Sequence, residues 1–252
     1  MTNDTAPRAT PRPLRILHQD EHLVAVHKPI GMFVHRSRES GRDEQFLLQL
    51  TRDQIGQKLF PVHRLDRPTS GIVLFALDAQ TAGCVSEQFR NRTVTKHYEA
   101  VVRGFSPDRM VLDRPLGRKP HRDTSDTGGR MTALPCTTVA ITKDRWDIPI
   151  ASDRYRSTRC SRLEIHPRTG RRHQIRRHLK HASYPILGDR THGDHRLNHL
   201  LAESIGLHRM MLIAMILEVE HPVTKAPLRI ETSPEDDYAE FLRTIASMST
   251  RQ

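Results

Sequence analysis

Three places along the chain bring together side chains able to do chemistry. The first is the run His63-Arg64-Leu65-Asp66-Arg67-Pro68-Thr69-Ser70-Gly71, where a turn-forming loop leads into an apolar strand over residues 72–77. Asp66 stands between Arg64 and Arg67, and neighbouring guanidinium charge favours an anionic carboxylate, the form a nucleophile or base needs. The same pattern describes a loop aspartate pinned in an ion pair, and taken alone it favours that plainer description. Ser70 lacks the Gly-x-Ser-x-Gly context of a serine hydrolase, so that chemistry is excluded.

The second place is residues 154–180, where ten Arg or Lys stand against one acid, Glu164. Thr169-Gly170 is expected to open a helix with Ile175 and Leu179 facing the core and Arg172 and Arg176, one turn apart, on a flanking face. Such a helix would fix guanidinium groups for phosphate contact, with a solvated basic face as the alternative. The third place, His192-Gly193-Asp194-His195-Arg196-Leu197-Asn198-His199, invites a metal. Its spacing is not that of a His-Glu-x-x-His helix and no second ligand group accompanies it, so no metal is assigned and polar loop residues contacting RNA or backbone are expected.

The elements that must position these groups read as α+β with largely antiparallel strands. Residues 14–17 and 23–26 read as two short strands around Asp20-Glu21. Asp78 is a natural N-cap for a helix over 79–90, with Ala82, Val85 and Phe89 on one face. A strand follows over 95–103, with Tyr98, Ala100 and Val102 on one side and His97, Glu99 and Val101 on the other. Residues 210–217 are apolar enough for a buried strand or helix, and Ser233-Pro234-Glu235-Asp236-Asp237 starts a helix leading to Phe241, Leu242 and Ile245. Residues 1–13 hold three prolines and little to bury and read as a disordered tail. The rest, 14–252, reads as one domain with a mobile insertion around 106–150, where Gly128-Gly129 marks a tip.

Composition narrows the partner. Lys and Arg number 40 against 29 Asp and Glu, a formal charge of +11, which points to a polyanion such as nucleic acid. The longest wholly apolar run, residues 210–217, is too short to cross a bilayer. Cys84, Cys136 and Cys160 are an odd, scattered set, so neither a disulfide framework nor a Cys-x-x-Cys metal site is indicated, and a reducing, cytoplasmic setting is expected. Neither Gly-x-Gly-x-x-Gly nor Gly-x-x-x-x-Gly-Lys-Ser/Thr occurs, so no nucleotide cofactor is expected.

Three separated blocks together resemble the RluA-family pseudouridine synthases. They are Lys28-Pro29-Ile30-Gly31; the Asp66 loop with Lys96-His97-Tyr98-Glu99; and Pro167-Arg168-Thr169-Gly170-Arg171-Arg172-His173-Gln174-Ile175-Arg176. The resemblance spans residues 14 to about 230. It implies a mixed, bent sheet with flanking helices and a central basic cleft, with Asp66 as the essential carboxylate, Tyr98 beside the target base and Arg176 as the ion-pair partner of Asp66. It implies RNA contacts from Arg64, Arg67, Arg171, Arg172 and His173, with Arg64 filling the gap left by an extruded uridine. The implied reaction is isomerisation of uridine to pseudouridine by a monomer with no cofactor.

Residues 52–57 and Pro185-Ile186-Leu187-Gly188-Asp189, leading to His192-Gly193-Asp194, resemble the branch that modifies the T stem of transfer RNA at position 65. The chain departs from family habit at Ile213, where histidine is usual, and at Cys160, where an aromatic is commoner. It also lacks the small N-terminal RNA-binding module of some relatives, so recognition is expected of the catalytic domain and its insertion. Competing readings are the same reaction on ribosomal RNA, a non-catalytic RNA-binding domain of this fold, and a metal-dependent nuclease built on the His192 cluster.

Overall fold

Runs of alternating or continuous apolar residues build a broad sheet, and amphipathic helices cover it. The computed structural model describes residues 13–36, 41, 45–117, 133–152 and 155–249. The chain begins β1 (Ile16–Gln19), β2 (Leu23–Lys28), α1 (Leu47–Ile55), β3 (Phe60–Pro61), β4 (Ser70–Ala76), α2 (Ala79–Asn91). It continues β5 (Thr95–Arg103), β6 (Arg109–Asp113), β7 (Leu116–Gly117), β8 (Ala133–Leu134), β9 (Thr137–Ile148), β10 (Thr158–Pro167). Then come α3 (Gln174–His181), α4 (His195–Ile205), β11 (Leu212–Glu220), β12 (Pro227–Glu231), α5 (Asp236–Met248).

Most strands join one sheet in the order β1-β2-β4-β11-β5-β10-β9-β6, with β3 beside β4 and β12 beside β11. Among the described strands only β4 and β11 pair in parallel, which sets Ser70 beside Ile213 and Gly71 beside Ala214. The architecture is therefore α+β, a mixed and mostly antiparallel sheet with helices against it. β2 and β4 are buried along their whole lengths, which is why their sequences are near-continuous apolar runs.

Several elements stand where the sequence puts them. Asp78 caps α2 by accepting from the Thr81 N–H at 2.7 Å, and Val85 packs into the core with Ala82 and Phe89 against it. β5 spans the expected residues, and residues 212–220 resolve as the strand β11. Cys160 and Ile213, the two departures from family habit, are both fully buried in the largest apolar cluster.

Other expectations need correction. The first strand begins at Ile16, because Leu14 is taken by α1: its N–H donates to Gln54 Oε1 at 2.7 Å and its carbonyl accepts from Gln54 Nε2 at 2.9 Å. α3 starts at Gln174, four residues after Gly170, because the Gln174 side chain holds the preceding turn open. Its Oε1 accepts from the Thr169 hydroxyl at 2.6 Å and the Arg171 N–H at 3.0 Å, and His173 sits in the left-handed region at φ 53°. Arg172 is thus outside the helix and exposed while Arg176 is buried, so the two share no flanking face. Residues 195–199 are helical, not loop: Asp194 caps α4 by accepting from the Leu197 N–H, and Gly206 ends it. Residues 1–12 of the expected tail, and the Gly128-Gly129 tip of the expected insertion, lie outside the described residues.

At the junction of the Asp66 loop with β4, the parallel pairing brings β11 so close that a Cβ on Gly71 would lie 2.2 Å from the Ala214 carbonyl oxygen, and the backbone there has φ +108°. Gly71→Ala is expected to cost about 3 kcal/mol from strain and overpacking together, read as a fall in the urea midpoint at unchanged slope.

Candidate active site

The Asp66 loop, β5 and the start of α3 converge on a cleft of about 510 Å³. Asp66, Tyr98, Arg176, Arg64, Arg171 and His173 all line it; Arg67 and Arg172 do not. Arg67 instead donates through Nε to the Gly31 carbonyl at 2.9 Å, stacks over Phe33, and lines a neighbouring hollow of about 960 Å³ that shares the Arg176 wall. Arg64 is exposed at the cleft and makes no hydrogen bond or ion pair among the described residues.

The loop is clamped from behind. Lys28, fully buried, donates from Nζ to the carbonyls of Pro29, Met32 and Arg67 at 3.0, 2.8 and 3.1 Å, and the Gly31 N–H reaches the same Arg67 carbonyl. Burial draws its amine down to about 7, yet three carbonyl acceptors use all three protons of an ammonium, so the site favours the charged form. On the strand side, the Ser70 hydroxyl donates to Glu235 Oε2 at 2.8 Å while accepting from Arg209 Nη2 at 2.8 Å. Arg209 is further paired with Asp237 and lies over the Tyr238 ring. Burial pushes the Glu235 carboxyl up, but its His27, Arg209 and Ser70 partners outweigh this and hold it at about 2.

Arg176 is 3% exposed and serves two carboxylates. Its Nε and Nη2 form a fork onto Asp189 at 2.7 and 2.8 Å, and its Nη1 reaches Asp66 Oδ2 at 3.1 Å. The sequence-based pairing of Arg176 with Asp66 is present, but the two-pronged contact belongs to Asp189. That residue, 1% exposed, also accepts the N–H groups of Thr191 and His192 through Oδ1 and holds its carboxyl below the usual range despite burial. Asp189 has no role assigned from sequence, because a carboxylate in a turn before a helix gives no local sign that it reaches back to an arginine on another helix.

The other oxygen of Asp66, Oδ1, lies 3.9 Å from His173 Nε2, outside hydrogen-bond range. His173 Nδ1 is 2.9 Å from His192 Nε2, and burial lowers both histidines, His192 to about 4, so the pair is neutral near pH 7. Tyr98 has its phenol pushed up by burial and by the charge of Asp66, so it remains protonated at neutral pH. His63, adjoining the cleft, accepts the Leu74 N–H through Nε2 at 2.9 Å and stacks on Phe89; burial and nearby Lys96 push it down to about 3. It is a structural neutral histidine. The His192 cluster does not converge: Asp194 caps α4 and pairs with Arg103, and His199 pairs with Glu203 on exposed surface.

The sheet therefore carries a basic cleft around one clamped aspartate. Residues 22–181 match the family described as RNA pseudouridylate synthase, and the chain belongs to that family. It is an RNA pseudouridine synthase, an isomerase. Among relatives, it is 42% identical over 224 residues to the tRNA pseudouridine synthase C of Vibrio cholerae, covering 88% of this chain and 92% of that one. It is 42% identical over 234 residues to the enzyme of the same name from Salmonella typhi, covering 91% and 88%. The solved structure of human RNA pseudouridylate synthase domain containing 4 superposes with a TM-score of 0.69 at 27% identity, covering 92% of this chain and 93% of that one.

Because the Glu235 carboxyl is depressed, its network contributes stability that is complete above the unfolded-state value of roughly 4.3 and is lost as pH falls toward about 2. Glu235→Gln is therefore expected to lower stability near neutral pH and to flatten the acid limb between those values. Urea titrations of both proteins across that pH range check it; parallel acid limbs would count against the network.

Proposed function

We propose that this enzyme converts one uridine of transfer RNA to pseudouridine, at position 65 on the 3′ side of the T stem, with Asp66, Tyr98 and Arg176 as its working residues. The transfer RNA assignment is supported by relatives at about 40% identity, covering nearly all of both chains, that are tRNA pseudouridine synthases, and position 65 by the resemblance of residues 52–57 and 185–194 to that branch. The residue assignment is carried by one observation: Arg176 bonds one oxygen of Asp66, a residue of the cleft wall, and leaves the other outside hydrogen-bond range of its nearest charged neighbour, His173.

The reaction breaks the uridine N-glycosidic bond, turns the uracil while it is held, and joins its C5 to the ribose. Cleavage builds positive charge on the sugar, as in glycoside hydrolysis. An anionic Asp66 oxygen at the ribose can meet that charge by stabilising it, by attacking C1′ or by taking a ribose proton, and all three uses need the same free oxygen. Tyr98, protonated, holds the base with its ring and offers a hydroxyl that can relay the C5 proton but is a poor base alone. Arg171 and His173 meet the backbone beside the reacting nucleotide. Arg67, turned into the neighbouring hollow, and the exposed Arg172 contact RNA farther out. Residues 14–252 act as one catalytic domain, with the segment inside 106–150 adding RNA contacts, and a transfer RNA substrate places the work in the cytoplasm.

Purified protein incubated with unmodified transfer RNA, followed by chemistry that marks pseudouridine, is expected to show one modified site at position 65 and no strand breaks. Modification elsewhere in transfer RNA or only in ribosomal RNA would overturn the substrate assignment. Asp66→Asn keeps the shape and removes the charge, so RNA affinity is expected to stay within a few-fold while single-turnover pseudouridine formation disappears; substantial residual turnover would sink the role.

A paired uridine must leave the stack before it can react, at a cost of a few kcal/mol that shrinks when it is mismatched. If the unpaired Arg64 side chain fills the vacated position, Arg64→Ala is slow on a paired stem and recovers much of its rate when the target uridine is mismatched. Single-turnover rates at saturating protein check this, and equal penalties on both RNAs would remove the extrusion role.

A further inference from the structure

The single acid of the basic stretch, Glu164, is not spent on the cleft. It stands on β10 two residues before His166, on the same face of the strand, with His166 Nε2 2.7 Å from its Oε1. Across the ladder, Tyr98 pairs with Ile165 and the next position brings His97 against His166, their ring centroids 4.3 Å apart. One donor atom from each of His97, Glu164 and His166 lies within 4.8 Å of the others, and among the described residues no other group of three His, Cys, Asp or Glu side chains draws together this way. Strand alternation puts this group on the face opposite the cleft, because Lys96 and Tyr98 line the cleft and His97 does not.

We propose that His97, His166 and Glu164 bind one divalent transition-metal cation, with zinc as the fitting case. Two imidazoles and one carboxylate are the donor set of zinc and its neighbours; magnesium and calcium take oxygen ligands. The charge environment is suitable. Lys143 Nζ, 3.1 Å from Glu164 Oε2, holds one carboxylate oxygen and leaves Oε1 for the metal. Glu218 and Arg229, which also face His97, are paired with each other. Small rotamer shifts bring the three donors to coordination distance, the metal replaces the His166–Glu164 hydrogen bond, and the His166 ring proton moves from Nε2 to Nδ1 so that the Nε2 lone pair takes the metal. All three side chains are only partly buried, so the ion has a path in and a fourth position stays open. The bound ion would fasten β5 to β10 directly behind Tyr98. This site is separate from the Asp66 chemistry and does not depend on which RNA is modified.

The test uses tag-free, chelator-washed full-length protein titrated with zinc against a chromophoric chelator, and with cobalt(II) followed by visible absorption. One equivalent is expected to bind, to give the bands of a four-coordinate nitrogen and oxygen site with cobalt, and to raise the thermal midpoint. Glu164→Gln and His166→Gln, which preserve shape, are each expected to weaken binding at least about tenfold and to abolish the thermal shift, whereas His199→Ala, at an exposed histidine outside the group, is expected to change neither. Circular dichroism establishes that each variant is folded. Binding of equal strength in Glu164→Gln and His166→Gln, or no uptake at millimolar zinc, would overturn the proposal.

Discussion

One buried guanidinium, divided between two carboxylates, is what the rest of the site depends on. Arg176 has too little solvent to stand alone, and an uncompensated buried charge is strongly destabilising. Asp189 supplies the compensation through the two-pronged fork, and backbone N–H groups in turn fix Asp189. The consequence for chemistry lies in what is left over. With Nε and Nη2 engaged, Arg176 presents a single N–H to Asp66, enough to orient the carboxylate and too little to occupy both of its oxygens. A fork onto Asp66 itself would have taken the second oxygen, the one the proposed mechanism gives to the ribose.

The loop that carries Asp66 is held on both of its flanks. Lys28 and Gly31 bond the Arg67 carbonyl from the end of β2, and Ser70 joins the Arg209–Glu235 network at the start of β4. Both clamps hang from strands buried along their whole lengths, so the aspartate is mounted on fully packed elements. β11 lies between β4 and β5, and its Ala214 stands beside Gly71 on one side and Tyr98 on the other. The absent side chain at Gly71 lets these strands close up, which brings the tyrosine and the aspartate to one cleft.

The parts of this arrangement legible in the sequence were those specified locally. The Asp78 cap and the apolar face of α2, the alternation in β5, and the turn before β4 are each written within a dozen residues, and Asp66, Tyr98 and Arg176 fall in motifs. What the sequence hid depends on distant partners. Gln54 draws Leu14 out of the first strand, the Gln174 side chain delays the start of α3, and Asp189 reaches Arg176 from outside its helix. Arg67, for which the resemblance implies an RNA contact, lines the neighbouring hollow and not the Asp66 cleft, a placement its position beside Asp66 does not signal. α4 carried usable signals, an Asp194 cap and the Gly206 stop, that the density of histidines obscured.

In the proposed mechanism Asp189 acts through Arg176, which acts on Asp66. The direct measurement is the single-turnover rate of pseudouridine formation, at saturating protein, for Asp189→Asn, Arg176→Lys and the double variant, alongside RNA affinity and folding. Each single change is expected to slow the reaction by roughly a hundredfold with affinity within a few-fold, since an ammonium lacks the fork and an unforked guanidinium loses its aim. The double variant is expected to be no slower than the worse single one, the mark of residues acting as a unit. Losses that multiply in the double variant, or that reside in RNA affinity while the rate is unchanged, would contradict the account.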